Sequence, residues 1–189
     1  NRLASNSLLE GLVFGQRAGK YAAEWAKANN AGSIDDGQVD RAAKEALVPF
    51  DRGAAGEGPY QIQHELQDKM QDLVGIVRVE NEMEQALVEL EKFNARAARV
   101  GIGSNRQYNG GWHTAMDLPN LLTISEAITR SAILRKESRG AQFRDGFPDK
   151  GPEWGKVNLI VRRGAGGEMI VEKRAISALP DELKKTIEE

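Results

Sequence analysis

Apolar positions along the chain recur at helical spacing in several long stretches. Over residues 7–29, Leu8, Leu9, Leu12 and Val13 are followed by Ala18, Tyr21, Ala22 and Trp25, which puts them along one side of a helix. Ser5 or Asn6 can cap its start, a short polar side chain accepting from free backbone N–H groups, and Asn29-Asn30-Ala31-Gly32 ends it. A short amphipathic helix is predicted over 36–48, stopped by Pro49. Over 60–79, Ile62, Leu66, Met70, Leu73, Val74 and Val77 form one stripe. Over 80–100, Met83, Leu87, Leu90 and Phe93 point inward beneath a charged outer face. Over 116–138 the apolar series runs from Leu118 through Leu121, Leu122, Ile124, Ala127, Ile128 and Ala132 to Leu134, with Pro119 expected in the first turn, where a missing N–H costs little.

Turn-rich segments separate these helices: DRGAAGEGP at 51–59 and GIGSNRQYNGGW at 101–112. Three long amphipathic helices joined by polar loops predict a mainly α fold, an up-down-up three-helix bundle of spectrin-repeat type. After Pro152 the period changes. Val157-Asn158-Leu159-Ile160-Val161 and Glu168-Met169-Ile170-Val171-Glu172 flank a glycine-rich turn, the pattern of a β-hairpin, and Pro180 opens a short terminal helix. The expected division is an N-terminal helix with its linker helix over 1–50, the bundle over 51–150, and the hairpin and terminal helix over 151–189.

Composition narrows the chemistry. The 189 residues are 40% hydrophobic and 29% charged, with a net charge of -2, so the chain is globular in character and has no electrostatic reason to bind nucleic acid. It contains no cysteine and two histidines. Thiolate metal sites and disulfides are excluded, and His64 and His113, far apart, make a poor zinc pair; no metal site is expected. No apolar run reaches the roughly 20 residues of a membrane span, so no direct insertion in a bilayer is expected.

Three features can carry function. Arg2 can grip a carboxylate through two parallel hydrogen bonds, beside a helix start that favours a developing anion; alone, it also reads as a solvated surface charge. Gly11, Gly15 and Gly19 lie on one helix face, which suits close approach by another backbone or by a cofactor. Arg139 and Arg144 near Glu137 and Asp145 can form a buried ion-pair network that docks this domain on another, or a solvated helix end. No Ser/His/Asp order, phosphate-binding loop or dinucleotide-binding glycine fingerprint occurs.

NRLASNSLLEGLVFG at the start resembles a motif of the flavoprotein subunits of succinate dehydrogenase and fumarate reductase, and of the related L-aspartate oxidases. RKESRGAQFRDGFPDKGPEWGKVNLIV resembles a second motif of that family, and LQDKMQDLVGIVRVENEMEQALVEL resembles the helix pair between them. The likeness covers nearly the whole chain, in the family's order. The family usually has histidine where this chain has Gln142, and an acid where it has Gly146.

The resemblance implies that residues 1–50 are the end of the FAD-binding domain, and that the first helix is left over from it. Arg2 matches the arginine that binds a carboxylate of succinate or fumarate. Asn6, Ser7 and Leu8 match the cofactor-binding helix start. No catalytic residue is expected within the 189 residues. FAD belongs to the longer subunit, and these residues alone are expected neither to retain it nor to turn over substrate. The implied partners are an iron–sulfur subunit and a membrane anchor subunit, which hold the protein peripherally on the cytoplasmic side of the cell membrane. An L-aspartate oxidase C-terminal region and a non-catalytic helical interaction module are the alternatives; the long tail after the second motif favours the dehydrogenase.

Overall fold

The structure, a computed structural model, describes residues 6–181 and residue 184. It contains two compact units, residues 1–46 and 47–189. The first holds helix α1 (Asn6–Ala28) and the beginning of α2 (Asp36–Asp51). α1 closes with basic Lys27 in its last turn, where the carbonyl end of the helix favours a cation. Its apolar stripe is exposed: Leu8, Leu12 and Trp25 keep 73%, 73% and 65% of their surface.

The second unit is the helical bundle, built from α3 (Pro59–Val74), α4 (Glu80–Ala97) and α5 (Gly110–Leu134), which pack on one another. Each helix contributes residues at spacings of three or four. Ile62 and Leu66 from α3, Leu90 and Phe93 from α4, and Leu118 and Leu122 from α5 meet in one cluster, sealed by Val100 and Ile102 from the following loop. A second cluster joins Val74, Met83, Ala86 and Ala132. Deeper along α5 the buried face turns polar, and Thr129 satisfies its hydroxyl by donating to the Ser125 carbonyl at 2.8 Å.

The fold is the expected bundle and hairpin, with four local corrections. Pro49 does not stop α2, which continues to Asp51; the Pro49 carbonyl accepts the Ile102 N–H at 2.9 Å, tying this end to the bundle. α3 ends at Val74, and Val77–Arg78 becomes a short strand, β1, paired in parallel with β2 (Phe143–Arg144). α5 starts at Gly110 because Asn109 caps it: the side chain accepts from the Trp112 N–H at 3.1 Å. Pro119 is therefore inside the helix, and Trp112 and His113 are helical rather than in a loop. α5 also stops at Leu134, short of the predicted 138.

The loop after α2 is clamped from several sides. Arg96 pairs with Glu57 and, at 2.6 Å, with Glu65, and Arg52 donates to the Val100 carbonyl at 3.1 Å. Gly101 passes so close that a Cβ there would fall on the Gly53 carbonyl oxygen, which is fixed backbone. Gly101→Ala is expected to destabilise the chain by about 2 kcal/mol through overpacking. Urea denaturation would measure it, and a change below half that value would mean the loop yields freely.

Beyond α5, β3 (Val157–Arg163) and β4 (Met169–Ala175) form an antiparallel hairpin in which Ile160 opposes Glu172 and Arg163 opposes Met169. It packs against α5. Against the predicted runs, β3 adds Arg162 and Arg163 at the turn end, while β4 starts at Met169 and adds residues 173–175 at the opposite end, all of them exposed.

Candidate functional site

Asn6, Ser7 and Leu8 occupy the first positions of α1. The first four N–H groups of any α-helix lack an internal acceptor, and the opening turn of α1 carries no acidic side chain, so its partial positive charge stands uncompensated by an acid there. Among the described residues, nothing lies within 4 Å of where a Cβ at Gly11, Gly15 or Gly19 would project. Arg2 falls outside the described residues. His64 and His113 are both exposed, on separate helices, and among the described residues no group of acids and histidines could hold a metal. Nor is any described helix long and apolar enough to cross a membrane.

The charged segment after α5 forms a hydrogen-bonded network. Glu137 is buried with its carboxylate surrounded by donors. Its Oε1 accepts from Arg135 Nη1 at 2.6 Å and Arg139 Nε at 2.8 Å, and its Oε2 accepts from the Gly151 N–H at 2.8 Å. Burial pushes the Glu137 pKa up, but the hydrogen bonds from Arg139, Arg135 and Gly151 outweigh it and hold the carboxyl below its ordinary range. Arg135 also lies over the Trp154 ring at 5.2 Å, and its Nη1 donates to the Trp154 carbonyl at 3.3 Å.

Arg144, on β2, is fully buried. Its Nη2 donates to Glu80 Oε2 at 2.8 Å, and Glu80 also receives Lys136 at 3.3 Å. Its Nε has no partner among the described residues, so part of the desolvation of this cation is uncompensated. The Ser138 hydroxyl accepts from the Arg144 N–H at 2.9 Å and donates to the Phe147 carbonyl at 2.8 Å. The network is thus buried, as one expectation had it, but it joins elements of the same unit: the end of α5, β2, the start of α4 and the turn before β3.

The two departures from the resemblance find local reasons. Gln142 uses both ends of its amide. Nε2 donates to the Arg135 and Glu137 carbonyls at 2.9 and 3.1 Å, and Oε1 accepts from Arg78 Nη1 at 2.9 Å. Gly146 has φ +77, a conformation that costs an acidic side chain and not glycine. Nothing in the sequence around Arg78 and Glu80 points to a role for them. Their partners lie 64 residues away, and only the β1–β2 contact brings them together; the density of charge after 135 was the one available signal.

Residues 63–185 match the protein family described as Fumarate reductase flavoprotein C-term. The chain is 32% identical over 178 residues to a fumarate reductase flavoprotein subunit of Mycobacterium tuberculosis, covering 90% of this chain and 30% of that protein. It is 33% identical over 165 residues to an L-aspartate oxidase of Bacillus subtilis, covering 87% and 27%. The structure superposes on Mycobacterium smegmatis Sdh1 in complex with UQ1 with a TM-score of 0.92 at 36% identity, over 100% of this chain and 32% of that one. The chain therefore spans about a third of the length of these relatives. With the bundle, the hairpin and the match in agreement across residues 63–185, the chain belongs to the fumarate reductase flavoprotein C-terminal family.

Proposed function

We propose that the chain is the C-terminal part of a flavoprotein subunit that interconverts succinate and fumarate. Family membership across 63–185 carries this reading, and the opening of α1 agrees with it. A helix start free of acidic side chains suits the electron-rich end of a flavin ring system, so the donor chemistry fits FAD. FAD, when bound, supplies the two-electron chemistry of the reaction. In this reading Asn6, Ser7 and Leu8 offer backbone N–H groups that stabilise negative charge. Arg2 holds a substrate carboxylate and orients it. Electrons pass on to an iron–sulfur subunit, and a membrane anchor subunit keeps the assembly on the cytoplasmic face of the membrane. The domain division in this reading is the end of the FAD-binding domain over 1–50, the bundle over 51–150 and the tail over 151–189.

The test is a turnover assay of the full-length flavoprotein with succinate and with aspartate. Succinate is expected to be oxidised, and Arg2→Gln to lower kcat/KM by about a hundredfold or more, the scale of removing a positioned charged donor. Turnover of aspartate but not succinate would assign the chain to the L-aspartate oxidases instead. The 189 residues alone are expected to purify without the absorbance bands of flavin; stoichiometric FAD in that material would overturn the division of labour proposed here.

A further inference from the structure

Asn109-Gly110 is the one Asn-Gly pair in the chain, and each member is held in place by a separate constraint. Asn109 uses its whole carboxamide. Oδ1 accepts from the Trp112 N–H at 3.1 Å, and Nδ2 donates to the Gly103 and Asn105 carbonyls at 3.2 and 2.9 Å. An amide offers both the acceptor that the helix start needs and the two donors that the loop needs. Gly110 sits against Tyr60, whose hydroxyl would lie 2.7 Å from an added Cβ. The loop that these bonds brace is strained. Ser104 and Tyr108 within it have φ of 74° and 53°, a region that residues other than glycine rarely occupy.

An Asn-Gly pair has a chemistry of its own. A glycine puts no side chain in the way of its own nitrogen, and the Gly110 N–H is among the four at a helix start that have no intrahelical acceptor. The positive end of α5 also favours the anion formed when that N–H loses its proton. The nitrogen can then attack Asn109 Cγ. A C–N bond forms, the Cγ–Nδ2 bond breaks, and Nδ2 takes up a proton and leaves as ammonia, which closes a succinimide ring. Water opens the ring at either carbonyl and leaves aspartate or isoaspartate at position 109; the sum is water consumed and ammonia released. Gly110 is exposed and Asn109 half-buried, so water reaches the ring. We propose that Asn109 is a deamidation site gated by its own cap, reacting when its three hydrogen bonds open and unable to close them again afterwards. The new carboxylate has no proton for the Gly103 and Asn105 carbonyls and repels both. Deamidation thus frees the 103–109 loop in a single irreversible step.

Peptide mass mapping tests it on the full-length protein aged in mildly alkaline buffer with and without urea. Position 109 is expected to change from amide to acid, with isoaspartate among the products, while Asn94, Asn120 and Asn158 stay intact. The folded sample is expected to convert about tenfold more slowly than the sample in urea, the factor set by opening a cap of ordinary strength. Asn109→Ser keeps a cap acceptor but cannot cyclise, and is expected to show no change of mass at that position. Asn109→Asp still caps the helix, so it folds, and trypsin is expected to cut it after the exposed Arg106 about tenfold faster than the wild type, as a loop released from local protection. Equal conversion with and without urea would overturn the gate. An amide still intact in the folded sample after about a hundred times the period that completes the urea sample, ten times the delay a cap imposes, would overturn the site. Unchanged cleavage of Asn109→Asp would overturn the release of the loop.

Discussion

Glu137→Gln is expected to lower the stability of the chain by about 3 kcal/mol, the scale of breaking a buried charge pair from one side. The carboxylate receives three donors from two arginines and the backbone. An amide keeps one acceptor oxygen but turns an NH2 group toward donors, and it leaves Arg135, with 18% of its side chain exposed, without its counter-charge. The sign of the pH dependence follows. A carboxyl whose folded pKa is depressed contributes stability that is complete above its unfolded pKa and is lost as pH falls through the folded value. Wild-type stability is therefore expected to drop on acidification below the ordinary carboxylate range, and the Glu137→Gln curve to be flatter there. Denaturant titrations across pH 3 to 7 would show it. A loss under about 1 kcal/mol at neutral pH would mean that the network is solvated.

Leu118→Ala is the second large effect, expected at about 3 kcal/mol from lost burial plus the cavity left behind. Leu118 is fully buried where Ile62, Leu66, Phe93 and Leu122 meet, so its removal touches all three helices of the bundle at once. The midpoint of urea denaturation should fall with little change in its slope. Ile124→Ala, on the same helix but 58% exposed, is the contrast, expected to stay within about 0.5 kcal/mol. Equal effects at the two positions would contradict the orientation of α5.

The difference between Leu118 and Ile124 marks where sequence reading stops. Both belong to one long apolar series, and the 3.6-residue period cannot rank them when residues on several sides of α5 are apolar. Burial on three sides, against α3, α4 and the hairpin, is what selects Leu118, Leu122 and Thr129 for the interior and leaves Ile124 and Ile128 at the surface. Element ends depart from the local pattern for a related reason. Proline rules describe average cost, and the start of α5 was decided by Asn109, whose cap adds nearly two turns ahead of the position read from the apolar series. The proposed site at the head of the chain rests on the resemblance of the motif around Arg2, Asn6, Ser7 and Leu8, since a capped helix start looks the same with or without a ligand.

What the sequence by itself determined is the class of fold and the family. Helical and strand periods are local properties of the chain, and so are the glycine turn of the hairpin and the order of the three motifs. Only the tertiary structure decided the charges. Why Arg144 reaches Glu80 and why Arg78 meets the Gln142 amide depend on contacts 64 residues apart at β1 and β2. Electrostatic energy depends on distance and burial in space, and neither can be read from spacing along the chain.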